Sequence, residues 1–265
     1  MISIGLLGAG RMGEALIKGL LGKGTGYEVN FVETDSDRAM YITKNYAAKR
    51  LTHLQELSRC DICVLAIKPQ DVSSVVEELS KALSPSVLIV SIVAGIGLGY
   101  FTQRFPLHRS ARVMPNTPAL IKEGISGVSF SPQCTKADQA IVLEVFRSVG
   151  GVQAIPDSLM NAVTALSGSG PAYYYLLTHY YAKIAEGYGM DYALALTMMT
   201  QTMLGAAKMI QTTQLSPEEL IRMVASPGGT TEAALKVLRE PALFEILTMS
   251  YSRAHGRAKE LDPSS

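Results

Sequence analysis

Ile2-Ser3-Ile4-Gly5-Leu6-Leu7-Gly8-Ala9-Gly10-Arg11-Met12-Gly13-Glu14 joins a short apolar run to a glycine-rich turn, and apolar residues at helical spacing follow through Leu21. An aliphatic run of this length, bounded by a turn, reads as a buried strand. Each glycine then has its own task. Gly8 makes the tight turn, Gly10 lets backbone approach a ligand, and Gly13 lets the helix pack close to the strand. The start of a helix over Glu14–Leu21 offers unpaired N–H groups and the positive end of its dipole to an anion. A bare G-x-G-x-x-G is weak in a chain with 23 glycines, but here strand, turn and helix stand in the order that a dinucleotide's pyrophosphate requires. Gly8, Ala9, Gly10, Arg11, Met12 and Gly13 are therefore expected to bind a cofactor.

About twenty residues further on, the spacing at which an acid meets the adenosine ribose, Glu33 closes the run Val29-Asn30-Phe31-Val32. A carboxylate there favours NAD and repels the 2′-phosphate of NADP. Arg38 lies close behind it and Arg11 sits inside the turn, and either guanidinium could engage a 2′-phosphate. The choice between NAD and NADP stays open at this level.

Working outward, apolar runs recur at Ile62–Ile67, Val87–Ile92, Ala111–Met114, Gly127–Phe130 and Val152–Ala154, with helical patterns such as Gln70–Leu83 and Thr135–Val149 between them. Such alternation predicts a doubly wound α/β domain with a mostly parallel sheet. Ligands of such sheets bind beyond the carboxyl ends of the strands. Three further loops lie on that edge: Ala66-Ile67-Lys68-Pro69, Ala94-Gly95, and Asn116 between two prolines. All seven residues are candidate cofactor contacts.

After Pro156 the texture changes to alanine-, methionine- and leucine-rich helical segments, so residues 1–156 and 157–265 are expected to form two domains. The second is all-helical, over Ser158–Leu166, Pro171–Gly187, Asp191–Gln211, Pro217–Ser226, Thr230–Leu238 and Pro241–Leu261. Asp191–Gln211 is apolar around much of its circumference, which predicts burial on most sides, in part by a second subunit. Within this half, Pro227-Gly228-Gly229 ends one helix and Thr230 begins the next. Unpaired N–H groups at such a start make a seat for a small carboxylate, and Thr231 adds a hydroxyl.

Composition excludes other classes. The 265 residues carry a formal net charge of +1, which argues against a nucleic-acid or anionic-membrane partner. No apolar stretch is long enough to span a bilayer, and Met1 leads into the first strand without a secretory pattern, so a cytoplasmic protein is expected. Cys60, Cys63 and Cys134 make no disulfide framework, the formal C-x-x-C at Cys60–Cys63 reads as a core thiol with a chance neighbour, and His53, His108, His179 and His255 make no spaced metal cluster. No metal is expected.

With the Gly8–Gly13 turn, Ala66-Ile67-Lys68-Pro69, Met114-Pro115-Asn116-Thr117-Pro118, Ser167-Gly168-Ser169-Gly170-Pro171-Ala172-Tyr173 and Ser226-Pro227-Gly228-Gly229-Thr230-Thr231, the sequence resembles the pyrroline-5-carboxylate reductases. The motifs stand in that family's order and cover the chain from Ile2 to about Glu260. The resemblance implies an N-terminal Rossmann domain followed by an all-α dimerisation domain, and reduction of L-1-pyrroline-5-carboxylate to L-proline by NADPH or NADH. It also implies a homodimer, and pentamers of dimers occur in such families. Ser167, Ser226, Gly228, Gly229, Thr230 and Thr231 become the expected substrate-binding residues, with the carboxylate on the N–H groups of Gly229, Thr230 and Thr231. Thr231 is the expected catalytic residue, hydrogen-bonded to the ring nitrogen. Two positions depart from the family pattern: Asn161 stands where an aspartate is usual, and Thr52-His53 where asparagine is common.

Two other readings compete. A β-hydroxyacid dehydrogenase would need a lysine base, for which Lys183 and Lys208 are available. A dinucleotide-sensing regulator would keep Gly8–Gly13 but has no use for a carboxylate seat.

Overall fold

A computed structural model describes residues 1–22, 24 and 26–261. Its first half is one eight-stranded sheet. Along the chain run β1 (Ile2–Leu7), α1 (Arg11–Leu21), β2 (Tyr27–Val32), α2 (Ser36–Asn45), β3 (Lys49–Arg50), β4 (Ile62–Leu65), α3 (Val72–Ala82), β5 (Leu88–Ser91) and α4 (Leu98–Arg104). They are followed by β6 (Ser110–Met114), β7 (Gly124–Phe130), α5 (Lys136–Arg147) and β8 (Gly150–Ala154). The strand order is β3-β2-β1-β4-β5-β6-β7-β8, parallel except where β6 meets β7.

The period of two along each strand divides the apolar side chains between two cores. Ile4, Leu6, Val29, Phe31, Ile62 and Val64 face one core with residues of α1, α2 and α5, while Leu7, Val32, Cys63, Leu65 and Ile89 face the other with α3 and α4. Helices thus cover both faces, which is why the strands read as near-continuous apolar runs. The chain turns outward in opposite directions from β1, whose neighbours are β2 and β4. That reversal is a topological switch point, and the Gly8–Gly13 turn leaves β1 there.

The expected strands are present with shifted ends. The second begins at Tyr27 and stops at Val32, the third stops at Leu65, and the last two begin at Gly124 and Gly150. The third strand was expected to reach Ile67, but the Ala66 carbonyl turns to face Gly8 and the ladder cannot continue.

From Asp157 on, the structure is helical. A single helix was expected over Ser158–Leu166; instead a short turn at Asp157–Leu159 leads into α6 (Met160–Val163) and a π-helical segment, Thr164–Gly168. The Ser169 N–H reaches the Thr164 carbonyl at 2.9 Å, and the Ser167 hydroxyl donates to the Val163 carbonyl at 3.1 Å. Then come α7 (Gly170–Gly187), α8 (Tyr192–Thr212), α9 (Pro217–Val224), α10 (Thr230–Leu238) and α11 (Pro241–Glu260). Gly189, at φ +89°, reverses the chain between α7 and α8, and Ser216 with Glu219 forms a capping box at α9.

By compactness the chain divides after Ser169. One unit is Met1–Ser169 with the end of α11 from Ala254, and the other is Gly170–Arg253. In the second unit the expected burial of the long apolar helix is not supplied by the single chain. Of α8 only Ala195 is buried, while Leu194, Met198, Leu204 and Ile210 stand exposed. Tyr174, Tyr175 and Ile184 of α7 and Phe244 of α11 do likewise. No helix among the described residues is long and apolar enough to cross a membrane.

Candidate active site

The glycine turn is shaped by close backbone packing. Gly8 has φ +95°, and a Cβ there would lie 2.5 Å from the Ala66 carbonyl oxygen and 3.3 Å from Ile67 Cγ2. A Cβ on Gly13 would collide with the Gly8 carbonyl. Gly10 differs: at the start of α1 it has φ −60°, and no atom lies within 4 Å of where a Cβ would be. Two glycines therefore close the turn upon itself, and the third leaves an open approach to uncapped helical N–H groups. The cradle fits a dinucleotide's pyrophosphate.

Glu33 stands just past β2, as expected, but its carboxylate is already engaged by backbone. One oxygen accepts the Ala9 N–H at 2.9 Å and the other the Asp35 N–H at 3.0 Å. Arg38 does not reach outward toward a 2′-phosphate. Its Nε donates to the Ala9 carbonyl at 2.7 Å, its terminal nitrogen to the Gly10 carbonyl at 3.3 Å, and it forms an ion pair with Glu14. Tyr46 completes this clasp by donating its hydroxyl to Glu14 at 2.6 Å. Burial raises the pKa of Glu14, but the Tyr46 hydroxyl and Arg38 outweigh it and hold the carboxyl below its usual 4.5. Tyr46 is pushed up to about 12, first by its bond to Glu14 and then by burial. Sequence reasoning missed Glu14 and Tyr46, because the two are brought together by folding and not by spacing. Arg11 is exposed at the first helical position.

Along the same edge, Lys68 is exposed and precedes the single turn Pro69–Asp71. Ala94 is half-buried. Gly95 was expected to leave room for close approach, yet the space beside it (φ +77°) is taken by Leu261, whose Cβ a Gly95 side chain would strike. Asn116 was expected to reach the nicotinamide end. It is buried, its Oδ1 accepts the Ile125 N–H at 2.9 Å, and its Nδ2 donates to the Ser167 carbonyl at 3.1 Å. Its amide therefore ties the π-helical segment to β7. Gly168 packs against Met114 on the same strand edge, where a Cβ would fall 2.7 Å from Met114 Cε.

In the second unit, Gly228 has φ +71° and turns the chain from α9 into α10. The expected carboxylate seat is narrower than the sequence suggested. The Gly229 N–H is spent on the Ser226 carbonyl at 3.0 Å, because the tight turn folds it back. The Gly228 N–H is held by the Glu232 carboxylate at 2.8 Å. Glu232 was not foreseen, although an acid in the first helical turn is the ordinary signal for such a cap. Gly229 provides no side-chain cap, so the N–H groups of Thr230 and Thr231 begin α10 as its anion-binding end. Thr231 is half-buried. A recess of about 310 Å³ opens beside Pro227 and Glu232, with Arg222, Lys236 and Arg239 on its wall, Arg239 being paired with Glu218 at 3.0 Å.

A dinucleotide cradle at a sheet's switch point, with a chain that continues into helices bearing an uncapped, glycine-framed helix start, defines an NAD(P)-dependent oxidoreductase. Residues 3–95 match the family described as NADP oxidoreductase coenzyme F420-dependent, and residues 157–261 match pyrroline-5-carboxylate reductase dimerisation. The chain is 38% identical to the pyrroline-5-carboxylate reductase of Methanosarcina acetivorans, over 97% of each chain. The solved pyrroline-5-carboxylate reductase of Coxiella burnetii superposes with a TM-score of 0.91 at 30% identity over 98% of each chain. The Plasmodium falciparum pyrroline carboxylate reductase, solved with NADP bound, gives 0.87 at 28% identity with the same coverage. The chain belongs to the pyrroline-5-carboxylate reductase family.

Proposed function

We propose that the chain reduces L-1-pyrroline-5-carboxylate to L-proline with NADH or NADPH, the last step of proline biosynthesis. The observation that carries this reading is the uncapped start of α10, where Thr230 and Thr231 offer N–H groups beside a hydroxyl. The substrate is a small ring bearing one carboxylate and one C=N bond. Its carboxylate sits on the Thr230 and Thr231 N–H groups, with Ser226, Gly228 and Gly229 shaping the turn. Glu232 holds the turn by its bond to Gly228 and leaves the other N–H groups to the ligand.

The Thr231 hydroxyl bonds the ring nitrogen, fixes the plane of the C=N bond, and stabilises the amine as it forms. A bound reduced nicotinamide supplies the hydride. The substrate enters as the protonated, electrophilic iminium, so positioning provides most of the acceleration and no strong general acid is required. On the sheet unit, Gly8–Gly13 seat the pyrophosphate, Glu33 the ribose, and Ala66–Pro69 and Ala94 line the edge. Asn116 acts by fixing Ser167 in place.

A hydroxyacid dehydrogenase would need a neutral lysine. Lys183 is exposed and paired with Glu186 at 2.8 Å, and that partner raises its pKa, the wrong direction for a base. We also assign residues from Asp157 on to substrate binding and dimerisation, with a homodimer as the working unit and five dimers as a larger assembly. Unpaired Cys60, Cys63 and Cys134 suit the cytoplasm.

The test is loss of reduced-nicotinamide absorbance with pyrroline-5-carboxylate, beside a panel of hydroxyacids assayed in reverse. Thr231→Ala should lower kcat/KM about 10- to 1000-fold, with Thr231→Ser restoring most of it. Unchanged kinetics in Thr231→Ala would remove it from the mechanism, and turnover of a hydroxyacid instead would overturn the reaction assigned.

A further inference from the structure

Three features single out the pocket beyond β2. The Glu33 carboxylate is pinned by two backbone N–H groups, at 2.9 Å from Ala9 and 3.0 Å from Asp35. Pinned on both oxygens, it cannot swing aside without leaving two N–H groups unpaired. Each oxygen still has a lone pair free for a ribose hydroxyl. Second, Arg38, the cation that follows β2, is turned inward onto the Ala9 and Gly10 carbonyls and Glu14, and its guanidinium lies 5.2 Å from the centre of the Tyr41 ring. Drawing it out would strip Glu14 of its cationic partner. Third, the other cations at this end lack such an anchor to the turn. Arg50 is exposed and donates to the Glu33 carbonyl at 3.4 Å, and Arg11 and Lys49 are exposed. Exposed surface cations gain little from an anion in water.

We propose that Glu33 is the specificity-determining residue of the cofactor site, and that this chain selects NADH, with free ribose hydroxyls, over NADPH, with its 2′-phosphate. The proposal rests on reading Gly8–Gly13 as the dinucleotide site. The fixed carboxylate accepts from the 2′- and 3′-hydroxyls of NADH. The same carboxylate meets the 2′-phosphate of NADPH with like charge, and the one anchored guanidinium nearby is committed to Glu14. At the contact distance of two anions near a protein surface, this repulsion corresponds to about a 10- to 100-fold difference in affinity. The Arg38–Glu14–Tyr46 clasp has a positioning role, because it holds the cation away from the place where it would reverse the preference.

The experiment is calorimetric titration of the full-length protein with NADH and with NADPH, for the wild type, Glu33→Ser and Glu33→Gln. The wild type should bind NADH about 10-fold or more tightly than NADPH. Glu33→Ser should weaken NADH and strengthen NADPH, moving the ratio at least about 10-fold. Glu33→Gln keeps an acceptor for one of the two backbone N–H groups while removing the charge, so it should strengthen NADPH with a smaller fall in melting temperature than Glu33→Ser. A wild type that binds both equally or prefers NADPH, or a ratio that neither substitution moves, overturns the proposal and leaves the site reading standing. Failure to bind either dinucleotide overturns both.

Discussion

Gly10→Ala separates folding from binding at the turn after β1. In the folded chain nothing lies within 4 Å of the added methyl, and the backbone is at φ −60° and ψ −168°, where alanine is unstrained. Replacing glycine at such a position removes freedom from the unfolded chain and stabilises by about 0.4–1 kcal/mol. For a chain of this size that corresponds to a rise of about 1–3 °C in melting temperature. The same methyl stands in the open approach to the start of α1, where a phosphate must come within hydrogen-bonding distance. Loss of one charge-assisted bond, about 1.5–3 kcal/mol, should weaken dinucleotide binding about 10- to 100-fold. Gly8→Ala is the control with the opposite pattern. It places a methyl 2.5 Å from the Ala66 carbonyl at φ +95°, so the fold itself should lose about 1–2 kcal/mol from backbone strain alone. Differential scanning fluorimetry and titration with NADH measure both quantities. A Gly10→Ala protein that melts lower than wild type, or binds NADH as tightly, would refute the division of labour among the glycines.

Two further outcomes concern the ion pairs. Asp138 is buried, caps α5 through Thr135 at 2.8 and 2.6 Å, and pairs with Arg109 at 2.5 Å. Asp138→Ala should destabilise by about 2–3 kcal/mol, seen as a fall of about 4–10 °C in a thermal melt, and a shift below a degree or so would show that the cap and pair contribute nothing. Glu14, with its pKa held below 4.5 in the fold, contributes stability that is fully present above that value and lost as pH falls through the lowered one. The melting difference between wild type and Glu14→Gln should therefore be largest near neutrality and shrink below about pH 4.5; a difference that grew on acidification would reverse the sign of that linkage.

The strands were legible because a sheet covered on both faces needs mostly apolar residues, and Ile62–Leu65 supplies them throughout, as Ile2–Leu7 does apart from Ser3 and Gly5. The glycine turn was legible because strand, turn and helix are contiguous. β3 carried no such signal: it is two charged, exposed residues, placed by pairing with β2. The π-helical segment was equally hidden, since Thr164–Ser167 has ordinary helical composition. What was least legible is how polar side chains spend their bonds. Glu33, Arg38 and Asn116 stand out in the sequence as polar residues at strand ends and turns, but partners of theirs lie 24, 29 and 51 positions away. The Gly229 N–H was assigned to substrate because its bond to Ser226 depends on how tightly Gly228 turns.

The exposed apolar side chains of α7, α8 and α11 carry a thermodynamic consequence. Tyr174, Met198 and Phe244 stand in water in the lone chain, so part of their transfer free energy is realised only when copies meet. For the homodimer proposed above, stability is a function of dilution: each tenfold drop in protein concentration withdraws about 1.4 kcal/mol per mole of dimer. A melting temperature for this protein has meaning only with the concentration at which it was measured, and it should climb as the solution is made stronger.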